Sequence, residues 1–129
     1  MPFRKNMRTC RWLSGLLLVM VMSGCGKEKI LLENFDEQTW KGDRKGCKDS
    51  RLELSEVILA QKEKLLARNE IDIIAILGKP DENELYKRNE KFYYYYVRPS
   101  GECDEGSGES KRLIIRFNAM GLAKEIGTD

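Results

Sequence analysis

The sequence predicts an α+β domain, two helices packed on a three- to four-stranded antiparallel meander sheet. Three observations carry this. Between residues 50 and 77 apolar side chains recur at helical spacing. From residue 91 onward the pattern changes to aromatic and β-branched runs with period two. A four-residue turn, Asn118-Ala119-Met120-Gly121, separates the last two runs as in a hairpin. With 129 residues, one domain is the natural expectation.

Ser50-Arg51-Leu52-Glu53 has the form of a capping box, Ser at the N-cap and Glu three residues later, and predicts a helix start. Leu54, Val57, Ile58, Leu65 and Leu66 make its apolar stripe. Lys62, Glu63, Lys64 and Arg68 fill the other face, so the helix is expected to end near Arg68. Asn69 is placed as the N-cap of a second helix, with Glu70 and Asp72 at its positive end. Ile71, Ile74, Ala75 and Leu77 are its expected apolar face. Gly78 and Pro80 end it, which predicts a helix over 70–77.

Leu85-Tyr86 is a short strand candidate. Residues 91–97, KFYYYYV, are the strongest strand signal in the chain. Residues 112–117, RLIIRF, alternate, and residues 122–126 complete the meander. Leu113, Ile115 and Phe117 share the better core face, with Arg112, Ile114 and Arg116 opposite. Phe92, Tyr94 and Tyr96 oppose Tyr93, Tyr95 and Val97, and alternation does not choose between these two sets. One set is expected to face the helices and the other to lie beside Arg112 and Arg116 as cation–π partners. Pro99 to Ser110 is an acidic, Gly- and Ser-rich loop whose spacing does not match a calcium-binding EF-hand.

The chain carries no histidine, which removes the commonest general base and metal ligand. No spacing suggests a nucleophile with its base, so an enzyme is not expected, and no cofactor or metal is expected either. Four of the 23 basic side chains (Arg4, Lys5, Arg8 and Arg11) precede Cys25, and none of the 21 acidic ones does. From Cys25 on, 19 basic side chains face 21 acidic ones, and such a domain has no field to attract nucleic acid.

That basic stretch is followed by an apolar run, WLSGLLLVMVM, and then by Ser23-Gly24-Cys25-Gly26, the layout of a secretory signal. Met22-Ser23-Gly24-Cys25 resembles the lipobox of bacterial lipoproteins, with Met at the position usually held by Leu. The resemblance implies lipid transfer to the Cys25 thiol and cleavage after Gly24, leaving a mature chain of 105 residues. The expected organisation is a signal over 1–24, a lipidated N-terminus and tether over 25–48 that becomes ordered near Trp40 to Asp43, with Trp40 an anchor onto the core, and a folded domain over 49–129. Acyl chains on Cys25 are expected to hold the protein on a membrane. Gly26, rather than Asp, after the cysteine implies the outer membrane, facing the periplasm. In that oxidising compartment the two remaining cysteines, Cys47 and Cys103, are expected to pair.

The order of elements brings a family into view. Ile73 to Asp81, with Leu77, Gly78 and Pro80, is similar to the Leu-Gly-x-Pro motif of the SmpA/OmlA (BamE-like) lipoproteins. Phe117 and Gly121 match that family's turn before the last strand, with Asn118 where the family has Asp. The resemblance covers about residues 52 to 126 and implies a β-lactamase-inhibitor-like fold. Trp40, Lys41, Asp43, Gly46, Cys47 and Arg51 resemble a segment of other small lipoproteins and depart from the assembly-machinery subunit. Together these readings imply a lipid-anchored, non-enzymatic module that binds an envelope protein, in outer-membrane assembly or maintenance. A hydrolase inhibitor or immunity-type protein and a structural envelope lipoprotein are the alternatives. Trp40, Tyr93, Tyr95, Arg112 and Arg116 are the candidate contacts with a partner.

Overall fold

Three short helices precede four strands in a computed structural model that describes residues 28–99, 101, 103 and 109–129. The helices are α1 (Glu37–Gly42), α2 (Arg51–Ala60) and α3 (Glu70–Leu77). The strands are β1 (Glu82–Leu85), β2 (Lys91–Tyr96), β3 (Arg112–Phe117) and β4 (Ala123–Thr128). They form one antiparallel sheet in the order β1-β2-β3-β4, so the predicted α+β meander is the fold.

Helix α1 lies within residues 25–48, at the ordered stretch expected near Trp40 to Asp43. Asp36 caps it, its carboxylate accepting the N–H groups of Gln38 and Thr39. Trp40 is its one buried side chain, so there was no apolar period to read. Ile30, Leu32 and Phe35 also pack against the core.

Helix α2 ends at Ala60, well before Arg68. Gln61 leaves helical geometry, and a 3₁₀ turn over Lys62–Lys64 keeps Leu65 pointing into the core. The apolar stripe thus continues past the end of the helix that was expected to carry it. Gln61 instead uses its amide to hold the N-terminal segment. Its oxygen accepts from Glu33 N–H at 2.8 Å and its nitrogen donates to the Glu33 carbonyl at 2.7 Å.

Helix α3 has the expected bounds, and Asn69 Oδ1 accepts Asp72 N–H at 2.8 Å as its cap. Gly78, with φ of +74°, closes it by donating to the Ile74 carbonyl. The buried face is Ile73, Ile76 and Leu77, while Ile71 and Ile74 are exposed. Apolar residues fill most of EIDIIAIL, so its own pattern cannot choose a face and packing decides.

The sheet buries Tyr93, Tyr95 and Val97 with Leu113, Ile115 and Phe117 against the helices, and Ala123 and Ile126 join them from β4. Tyr93 and Phe117 meet edge to face at 4.7 Å. Strand β1 is exposed along its length, and a period-two reading had nothing apolar to find before Leu85. Cys47 and Cys103 form a disulfide across 56 positions of chain.

Candidate functional site

The segment from Trp40 to Arg51 is built into the interior. Trp40 is fully buried, and its indole N–H donates to the Leu77 carbonyl at 3.0 Å. Lys41 Nζ donates to the Ala75 carbonyl near the C-terminal end of α3, a favourable place for a cation. Gly46, at φ +68°, passes so close to the end of β2 and the residues after it that a Cβ there would lie 2.8 Å from the Arg98 carbonyl oxygen. Asp43 accepts N–H groups from Lys48, Ser50 and Arg51 at 2.6, 2.8 and 3.2 Å. It is Asp43 that satisfies the start of α2, because the Ser50 side chain makes no cap. The capping-box reading of Ser50 is corrected accordingly.

Arg51 ends this chain of contacts. Its guanidinium is buried, pairs with Asp81 at 2.7 Å, donates to the Trp40 carbonyl at 2.8 Å and lies 4.7 Å from the Trp40 ring centre. Asp81 also accepts the N–H groups of Lys45 and Tyr96. The two motifs that sequence reading singled out, Trp40 to Arg51 and Leu77 to Asp81, therefore meet here. The side chains of Trp40, Asp43, Arg51 and Asp81 bond to other groups of the fold. Among the described residues no group of three or more His, Cys, Asp or Glu side chains could hold a metal ion.

Of the residues expected to touch a partner, Trp40, Tyr93 and Tyr95 are in the core. Tyr93 donates to Glu70 at 3.1 Å and Tyr95 to the Gly78 carbonyl at 2.8 Å. Burial, then the Glu70 hydrogen bond, pushes the Tyr93 hydroxyl up to about 12. Tyr95 is raised as well, chiefly by burial. Both rings lie on the core face of the sheet. Arg112 and Arg116 are on the outer face, and the register settles which aromatic set joins them. Phe92 pairs with Arg116, Tyr94 with Ile114 and Tyr96 with Arg112.

That outer face is a lattice of rings and ion pairs. Phe92 and Tyr94 stack nearly parallel at 6.2 Å, and Tyr86 meets Phe92 edge-on at 5.8 Å. Arg112 lies 4.4 Å from the Tyr94 ring centre. Tyr94 donates to Glu84 at 2.8 Å and Tyr96 to Glu82 at 3.0 Å. Both hydroxyls are raised above the ordinary tyrosine value, by burial first and then by those carboxylates. Arg112 grips Asp129 through Nε and Nη2, at 2.9 and 2.6 Å. Burial alone would raise the Asp129 carboxyl, but the hydrogen bonds from Arg112 outweigh it and hold the group low. Arg116 donates to Glu90 at 2.9 Å and to Glu125 at 3.3 Å. Its Nε is buried and has no hydrogen-bond partner among the described residues.

Sequence reading missed Phe92, Tyr94 and Tyr96 as the outer set. The parity of Arg112 and Arg116 was legible, and only the pairing register was needed to carry it across to β2. Cys25 lies outside the described residues. No family model, characterised protein or solved structure matches the chain.

Proposed function

We propose that this chain is a lipid-anchored, non-enzymatic protein of the bacterial envelope that binds another envelope protein, in outer-membrane assembly or maintenance, through the outer face of its sheet. The supporting observation is that face. Aromatic rings and two arginines, the residue types enriched in binding surfaces, are gathered on one side of a rigid sheet with no element of the described chain packed over them. The lipobox supports the anchor, and the resemblance to SmpA/OmlA lipoproteins supports the compartment and the role. A non-enzymatic role is supported by the lack of histidine and by the use of Asp43, Asp81 and Arg51 in holding the fold.

Two measurements in bacterial cells test this. Metabolic labelling with an alkyne fatty acid should mark the protein and should not mark a Cys25→Ser variant. A photo-crosslinking amino acid at Tyr96 should repeatedly trap one protein that the same group at Leu31, a distant exposed site, does not trap. Absence of label, or crosslinks from neither position, would sink the reading.

A further inference from the structure

On the outer face of β2, β3 and β4 one lattice position is empty. The row Phe92–Arg116–Glu125 is filled across three strands, and the row Tyr96–Arg112 is continued by Asp129, just past the end of β4. The row between them runs Tyr94–Ile114–Gly127 and stops without a side chain. Gly127 has no need to be glycine for the sake of the backbone, because its φ is not positive. Among the described residues nothing lies within 4 Å of the place a Cβ would take. Glycine inside a strand weakens it and is found where another group comes close. The fold does not account for this one.

The gap is the floor of an open notch of about 350 Å³, lined by Phe92, Ile114, Arg116, Glu125 and Thr128. That is the small end of the range for ligand pockets, ~300–1,000 Å³. Its open side and apolar floor suit one protruding side chain. The charge above the floor has a sign. Glu125, Glu82 and Asp129 side chains are 64%, 50% and 39% exposed, whereas Arg112 and Arg116 are 31% and 29% exposed. Glu82, Glu90, Glu125 and Asp129 outnumber the two guanidiniums they pair with, and all but Glu90 are more exposed than the arginines, so an approaching molecule meets net negative charge.

We propose that the Gly127 notch receives an apolar side chain from a basic segment of a partner protein. The proposal rests on the reading of the outer face as a binding surface and deepens it. The apolar side chain packs on Ile114 and Phe92 in the place that Gly127 leaves vacant. Flanking lysines or arginines meet Glu125, Glu82 and Asp129, which makes the contact sensitive to salt.

The test uses the full lipidated chain in neutral detergent micelles and a fluorescent peptide, Lys-Lys-Ser-Leu-Ser-Lys-Lys. Control peptides replace Leu by Ser or every Lys by Glu. The Lys–Leu peptide should bind, and both controls should bind at least about tenfold more weakly. Gly127→Leu, which fills the notch at an open strand position, should weaken binding about tenfold, with Gly127→Ala between it and the parent. Circular dichroism should show both variants folded. If Gly127→Leu misfolds, Gly127→Ala decides alone. Equal binding by either control, or unchanged binding in the glycine variants, would overturn the proposal. So would a dimer that Gly127→Leu dissolves, because a second copy would then be the occupant. If the peptides fail while a crosslinker at Tyr96 still traps a partner, the notch is not the contact and the envelope-binding reading stands. If both fail, both fall.

Discussion

At the scale of single residues, Arg51 does more than its place in the sequence announces. It looks like a polar position on the first turn of a helix, yet it is buried against Asp81, Trp40 and Tyr95. Removing one member of a buried ion pair leaves the other uncompensated, at a cost of about 3–5 kcal/mol. Arg51→Ala should therefore lose about that much stability in urea unfolding, a large share of what a small domain has. Arg51→Lys should rescue little, since the Nε–H to Trp40 and the planar fork are both lost. A loss under about 1 kcal/mol would show the pair to be incidental. The tyrosines give a second prediction. In the unfolded chain they lose their protons near pH ~10. Folded Tyr93 holds its proton to about 12, burial first and Glu70 second, and Tyr95 is raised too. Above the unfolded value the folded state binds more protons, so stability falls as pH rises. Below it these groups contribute no slope. Urea midpoints should be level up to about pH 9 and drop by pH 11, with tyrosinate absorbance appearing later in the folded chain. Neither effect could be read in advance. Burial of Tyr93 rather than Tyr94 depends on register, and burial of Arg51 depends on a partner 30 positions away.

At the scale of elements, what the sequence disclosed follows from how local each signal is. Strands β2 and β3 were legible because their side chains alternate or are strongly β-forming over six residues. The bounds of α3 were legible because Asn69 and Gly78 act within their own turns. Its face was not, because Ile71, Ile73, Ile74 and Ile76 are chemically alike and only packing tells them apart. The start of α2 was found in the right place for the wrong reason. The capping-box form at Ser50 predicts it, but the capping oxygens come from Asp43, seven residues earlier than Ser50. The two accounts differ in what mutation does. Asp43→Ala strips three buried or half-buried N–H groups of a charged acceptor, each such bond contributing ~1.5–3 kcal/mol, with water recovering part. A net loss of about 2–4 kcal/mol is expected for it. Ser50→Ala should change stability by less than about 0.5 kcal/mol, because no cap hydrogen bond is removed. Thermal or urea unfolding of the two variants side by side decides, and a larger loss at Ser50 would restore the capping box.

At the scale of the whole molecule, the N-terminal segment is tied to the rest twice, once by contacts and once by covalent bond. Trp40, Asp43, Gly46 and Arg51 hold it to α3 and to the end of β2. The Cys47–Cys103 bond then fixes it to the connection between β2 and β3. The two ties act on different states. The contacts exist only in the folded chain, while the disulfide works mainly by restraining the unfolded one. Closing a loop across 56 positions is worth about 4 kcal/mol in the chain-entropy model. Replacing both cysteines by serine, Cys47→Ser with Cys103→Ser, should therefore lower unfolding free energy by about 4 kcal/mol. The native structure should change little, since Trp40 keeps its place between Phe35 and Tyr95 through contacts the mutation does not touch. Near-ultraviolet circular dichroism of the aromatic core should thus be retained in water while the urea midpoint falls. A lost aromatic signal in water would mean that the disulfide, and not the Trp40 to Arg51 contacts, holds the segment on the sheet.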